Sequence, residues 1–143
     1  MSEEENKLIT HRFFEEVWNQ GNLDVFDELV TSDIVIHASG RDFKGSEEYK
    51  KFILGYRNAF PDIKFTIDDQ ISSGDKVVER FTAQGSHQGQ LRDISSTGKK
   101  INITEIEITR IIDGKIVERW GAPDLLTLMQ QIGAIPLQGI PKP

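Results

Sequence analysis

Apolar residues recur at helical spacing near the start of the chain. Ile9, Phe13 and Val17 step by four, and so do Phe14 and Trp18, so residues 7–20 read as an amphipathic helix with a wide apolar stripe. Gly21 ends it, and Asn22 caps a second, short helix carrying Val25, Phe26, Leu29 and Val30. Residues 31–33 break that helix. Residues 34–37 follow as a short strand with His37 on the face of Val35. Residues 38–45 read as a loop. Ser46 then caps a third helix, with Glu47 and Glu48 in the first turn, where the helix dipole favours carboxylates. Tyr49, Phe52, Ile53, Tyr56 and Phe60 keep the helical period until Pro61 stops it.

The second half changes to a period of two. Ile63, Phe65, Ile67 and Ile71 alternate with Lys64, Thr66, Asp68 and Gln70, as in a half-buried antiparallel strand. Residues 72–75 turn the chain, and residues 77–85 return. Residues 86–100 are polar and read as a long excursion. Residues 101–112 form a long strand, Asp113-Gly114 a hairpin turn, and residues 115–120 the last strand. A two-residue turn pairs Ile112 with Lys115 and, continued regularly, Ile108 with Arg119 and Glu107 with Trp120. That register places Arg119 and Trp120 on opposite faces. The apolar phase shifts from odd (Ile101, Ile103) to even (Ile106, Ile108), which predicts a bulge near Thr104–Glu105. A C-terminal helix over residues 124–132 carries Leu125, Leu126, Leu128, Met129 and Ile132. Residues 133–143, rich in Pro and Gly, read as an extended arm. Helices followed by a run of antiparallel strands and a closing helix make an α+β fold, with the helices gathered on one side of a curved sheet.

Composition narrows the function. The 143 residues suit one domain over 1–143 with one core. A net charge of −6 with no long basic run disfavours nucleic acid and anionic membranes as partners. There is no Cys, so thiolate metal sites, disulfides and Cys nucleophiles are all excluded. The acidic start lacks the apolar run of a secretory signal, and the expected location is cytoplasmic. His37 and His87 lie far apart with no metal-ligand spacing, so no metal site is expected. No G-x-S-x-G, P-loop or dinucleotide fingerprint is present.

The stretches FFEEVWNQGNLDVFDELVTSDIVIH (13–37), FPDIKFTIDD (60–69), SGDKVVERFTAQGSHQG (73–89), STGKKI (96–101) and DGKIVERWGAPDLLTLMQQIGAIP (113–136) together resemble the SnoaL-like polyketide cyclases, or ester cyclases, of the NTF2-like superfamily. The resemblance implies a cone-shaped curved antiparallel sheet around a hydrophobic cavity, in a homodimer or higher homo-oligomer. It implies an intramolecular aldol-type ring closure or isomerisation of a small hydrophobic carbonyl compound, with no cofactor. By motif, Asp124 is the general acid/base. Arg119 stands where the family often has His, Ser96 where it has Pro, and Glu105 where it has a small residue.

The residues alone leave alternatives open. The residues alone favour Asp124 as the cap of the last helix, and the resemblance reverses that preference. As an acid/base, one carboxyl in an apolar cavity can take a proton next to a carbonyl and return it to an alkoxide, because burial raises its pKa. His37 and His87 can polarise a carbonyl or serve as structural hydrogen-bonded groups. Arg119, Trp120, Tyr56 and Arg80 are candidate substrate-binding residues. Tyr56 and Trp120 also fit plain core packing, and Arg80 fits an ion pair with Glu105, Glu107 or Glu118. The alternatives to a cyclase are a non-catalytic binding module and an isomerase or epoxide hydrolase. The latter would need a second inward acid near Asp124, from Glu105 or Glu118.

Overall fold

In a computed structural model, residues 2–38 and 40–136 are described. Helix α1 (Glu3–Arg12) starts on a capping box in which the Ser2 hydroxyl accepts from the Glu5 backbone N–H and the Glu5 carboxylate accepts from the Ser2 N–H. It runs on as a π-helical stretch, Phe13–Asn19, whose Phe13, Phe14, Val17 and Trp18 are all buried. Asn22 caps α2 (Leu23–Leu29) through bonds from Asp24 and Val25. Helix α3 spans Ser46–Ala59, with Gly45, at φ 98°, rather than Ser46 in the cap position. Helix α4 is Leu125–Gln131.

Among the described residues, six strands form one open sheet: β1 (Val30–Ala38), β2 (Arg41–Lys44), β3 (Lys64–Ser73), β4 (Lys76–Ser86), β5 (Lys100–Ile112) and β6 (Lys115–Gly121). The order is β2-β1-β6-β5-β4-β3. The strands depart from the sequence reading in three places. Strand β1 begins at Val30, in residues read as the end of a helix and a break. Residues 41–44, read as loop, pair with β1 as an edge strand. The β1–β6 pair is parallel, so the sheet is mixed rather than wholly antiparallel. The helices pack on one face, where Phe14 meets Phe81 with ring centroids 4.9 Å apart and Trp18 meets Phe65 at 4.7 Å. Of the arm read over 133–143, residues 137–143 lie outside the described residues.

The register decides which side chains face the helices. The predicted bulge near Thr104–Glu105 is absent, because the β4–β5 ladder runs unbroken from Lys76–Arg110 to Ser86–Lys100. The odd phase of β5 therefore continues inward through Ile101, Ile103, Glu105, Glu107, Thr109 and Ile111. Ile106 points outward and is 59% exposed. The bulge lies instead one pair beyond the hairpin, between the Arg110 and Ile111 pairings. Ile112 pairs with Lys115 and Ile111 with Ile116, as the turn requires. Val117 is then left over, and Arg110 pairs with Glu118, Thr109 with Arg119 and Ile108 with Trp120. The slip sends Arg119 inward beside Thr109 and Trp120 outward beside Ile108.

Candidate active site

An apolar cavity lies between the inner sheet face and the helices. Trp18, Tyr49, Phe52, Tyr56 and Phe65 line it with Ile36, Ile101, Ile103, Leu125 and Leu128. Its polar groups include Glu105, Glu107, Arg119 and Asp124. The space open to the centres of water-sized groups is about 90 Å³, several times the ~10–15 Å³ one water needs.

Glu105 is set at one wall by β5 and α4 together. The backbone N–H of Asp124 donates to its Oε2 at 2.7 Å, which leaves Oε1 for other partners. Burial pushes the Glu105 carboxyl up to about 7, against the opposing effect of that hydrogen bond. Asp124 itself is the N-cap of α4. Its Oδ1 accepts from the Thr127 N–H at 3.1 Å, and the residue is exposed at the cavity's edge. Arg119, with only 3% of its side chain accessible, donates through Nη1 to the Tyr49 hydroxyl at 3.2 Å. Its guanidinium lies over the Phe13 and Phe14 rings, 5.3 and 5.4 Å from their centroids. Burial raises the Tyr49 hydroxyl to about 12, so Tyr49 is a neutral acceptor there. Glu107 and Glu79 complete the cluster around Arg119. Burial raises both carboxyls, with Arg119 opposing, and Glu79 reaches about 7.

The cavity thus brings together Asp124, Arg119 and Tyr56 from the sequence candidates. It does not bring His37, His87, Trp120 or Arg80. His37 lies on the opposite sheet face, stacked on Trp120 at 5.4 Å. Its Nδ1 bonds Asp42 at 2.7 Å and its Nε2 bonds Glu118 at 2.6 Å. These bonds, the one to Glu118 foremost, raise its pKa. His87 is fully buried beside Phe60, and its Nδ1 accepts from the Thr97 N–H, which pins the loop after β4. Arg80 is exposed and approaches Asp68 at 3.8 Å, not an acid of β5 or β6. The second acid near Asp124 is Glu105; Glu118 belongs to the His37 cluster.

Glu79 was not among the candidates, although a signal existed. Val77, Glu79, Phe81 and Ala83 alternate strictly, which places Glu79 on the buried face between two apolar residues. Gly121 bends the chain at the end of β6, and its lack of a side chain has a second consequence. A Cβ there would lie 2.3 Å from Glu107 Oε2, so the absence of a side chain is what lets the Glu107 carboxylate lie across β6.

The model of the SnoaL-like polyketide cyclases matches residues 9–132. Among characterised relatives, the aklanonic acid methyl ester cyclase DnrD of Streptomyces peucetius is 24% identical over 122 residues, covering 82% of this chain and 84% of that protein. A SnoaL-like polyketide cyclase structure from Jannaschia sp. CCS1 superposes with a TM-score of 0.86 at 25% identity, covering 94% of this chain and 95% of that one. A polyketide cyclase structure from Bacillus cereus ATCC 10987 superposes with a TM-score of 0.78 at 33% identity, covering 94% and 87%. Helices, mixed sheet and cavity fall within a match that spans nearly the whole chain, and the protein belongs to the SnoaL-like polyketide cyclase family with its NTF2-like fold.

Proposed function

We propose that this protein is a cofactor-independent cyclase or isomerase that moves a proton next to a carbonyl of a hydrophobic compound, with Glu105 and Asp124 as its acid/base pair. The observation that carries this reading is Glu105, a carboxyl held at about 7 by burial on the wall of an apolar cavity. A group with a pKa near the working pH is at once a useful base and a useful acid. As carboxylate, Glu105 takes the proton from the carbon next to the carbonyl. The resulting enolate carbon attacks a second carbonyl in the same folded molecule, forming a C–C bond and an alkoxide. Protonated Glu105 returns the proton to that oxygen, so the product is an isomer of the substrate. The Asp124 N–H holds one Glu105 oxygen in place and Asp124 itself stands at the edge, where it can exchange protons with water. Trp18, Phe52 and Tyr56 supply the flat walls that would select the folded conformer.

A carrier without chemistry is the second reading, favoured by the exposed, helix-capping position of Asp124. Deuterium uptake next to the carbonyl of aromatic keto-ester probes in D2O separates the two. The cyclase reading expects uptake by the wild-type protein and a ~10²–10⁴-fold loss in Glu105→Gln. Equal uptake by Glu105→Gln refutes the acid/base assignment, and binding without uptake by the wild type establishes the carrier. A homo-oligomer is part of the proposal: the outer sheet face, with Ile71 61% and Ile106 59% exposed, is the surface a second copy would cover.

A further inference from the structure

The Arg119 cluster holds donors that nothing in the fold uses. Among the described residues, Nε and Nη2 of Arg119 have no hydrogen-bond partner, and neither does Oε2 of Glu79. Nη2 lies 3.9 Å from Glu79 Oε2 and 3.7 Å from Glu107 Oε2, beyond the ~3.2 Å of a working N–H···O bond. Only Glu79 Oε1 and Arg119 Nη1 are engaged, the first accepting from the Thr109 hydroxyl at 2.9 Å and the second donating to Tyr49. A guanidinium buried with idle donors is costly unless something else meets them. Nε and Nη2 have almost no surface open to the cavity as it stands, but Arg119 is part of its wall, so a ligand seated against the guanidinium can draw them in by a small turn of that group.

The charges around it say what kind of ligand. Glu79 from β4, Glu107 from β5, Tyr49 from α3 and Arg119 from β6 face one another, with the rings of Phe13 and Phe14 behind. Two carboxyls share one cation, and burial favours keeping a proton on the cluster. With one acid protonated the cluster is neutral. With both protonated it carries a single positive charge, open to an anion.

We propose that Arg119 forms an oxyanion subsite in the buried wall of the cavity, made for a hydrophobic ligand carrying one ionised oxygen (carboxylate, phenolate or enolate), and that Glu79 and Glu107 balance the arriving charge by taking up a proton. The subsite rests on the cyclase reading, in which an enolate is the species to be held. Glu105 moves the proton, and Arg119 holds the oxygen on which the charge develops.

Titration calorimetry with 2-naphthoate and its neutral isostere 2-naphthamide tests this, at pH 7 in phosphate and in Tris. The anion is expected to bind roughly ten- to a hundredfold more tightly, the range of a charge-assisted hydrogen bond to a buried group. The difference in heat between the buffers should report uptake of a fraction of a proton. Glu79→Gln should keep the preference and lose most of the uptake. Arg119→Met leaves two buried carboxyls, Glu79 and Glu107, without their cation and is at risk of unfolding, so the triple variant Arg119→Met/Glu79→Gln/Glu107→Gln removes all three charges. It should bind the two ligands equally. Equal or tighter binding of naphthamide by the wild type, absence of proton uptake, or a preference that survives in the triple variant overturns the subsite. Binding is read here without turnover, so failure leaves proton exchange by Glu105 standing. Conversely, loss of the exchange reading leaves a measured anion preference intact. If neither ligand binds a protein that is active in exchange, the subsite alone falls.

Discussion

Raising the pH from about 5.5 to about 7.5 should weaken this fold, because its buried acids are raised rather than depressed. Glu79 and Glu105 are each held by burial at about 7, against an ordinary value of 4.5. Between those values the native chain keeps protons that the unfolded chain has released. The cost of ionising each group in the fold is absent below 4.5, grows through the window and is complete above about 7. One pKa unit is worth ~1.4 kcal/mol, which caps the cost at about 3 kcal/mol for Glu79; Glu105, partly open to water, contributes less. Near pH 6, stability should therefore fall by about 1.5–2.5 kcal/mol per pH unit. Two other groups act in the same direction. Burial raises Glu107 against the pull of Arg119. His37 is raised by Glu118 and Asp42, so its contribution is complete below 6.5 and fades as the pH climbs through its native value. The depressed carboxyls, Asp62 and Glu118, lose their contribution only as the pH falls below the window. Urea denaturation at four pH values measures the slope. Glu79→Gln should remove about half of it. A wild-type midpoint that stays flat or rises from about pH 5.5 to 7.5 would show that the acids are ionised and well paired in the fold, and would refute the argument.

Asp124→Ala should lose the cap on α4, about 1 kcal/mol and a few degrees in Tm, whereas Asp124→Asn keeps an acceptor for the Thr127 N–H and should melt like the wild type. An Asn variant as unstable as the Ala variant would refute the capping account; a stable Asn variant with reduced deuterium uptake would place Asp124 in the chemistry. Gly121→Ala should push the Glu107 carboxylate aside by about 1 Å and cost ~1–3 kcal/mol, the usual range for overpacking. Thermal melts in a Glu107→Ala background check the cause: the penalty should vanish there, and a penalty of unchanged size would assign it to the backbone instead.

Helices and strands were legible because their periods are long and regular, from Phe13 to Trp18 and from Val77 to Ala83. Strand β2 was not. Arg41 to Lys44 is a short polar edge with no buried face to leave a period. The inner face of β5 was misread for a different reason. Apolar Ile106 and Ile108 drew the phase outward, while Glu105, Glu107 and Thr109 occupy core-facing positions. A strand that puts acids inside and isoleucine outside breaks the rule that pattern reading depends on, and such breaks concentrate where a site is built. Of the candidate residues, Asp124 was located by motif. Glu105 was named as a departure from the family and, with Glu118, as a candidate second inward acid near Asp124, and Glu79 required trusting strict alternation over polarity.

The bulge at Val117 links these observations. Without it, β6 would continue in the register of its hairpin. Arg119 would then face outward, and Glu118 and Trp120 would face the cavity. The His37–Trp120 stack and the His37–Glu118 bond on the outer face would be lost, and Glu79 would sit in the core with no cation near it. One extra residue therefore sorts two charged clusters to opposite sides of the sheet. Arg119 with Glu79 and Glu107 lies inside, where water is scarce and charge is costly. His37 with Asp42, Glu118 and Arg110 lies outside, where it joins β1, β2, β5 and β6 at little cost. The inner cluster is the expensive one. Its position on the cavity wall, and not any gain in stability, is what its retention in the fold has to explain.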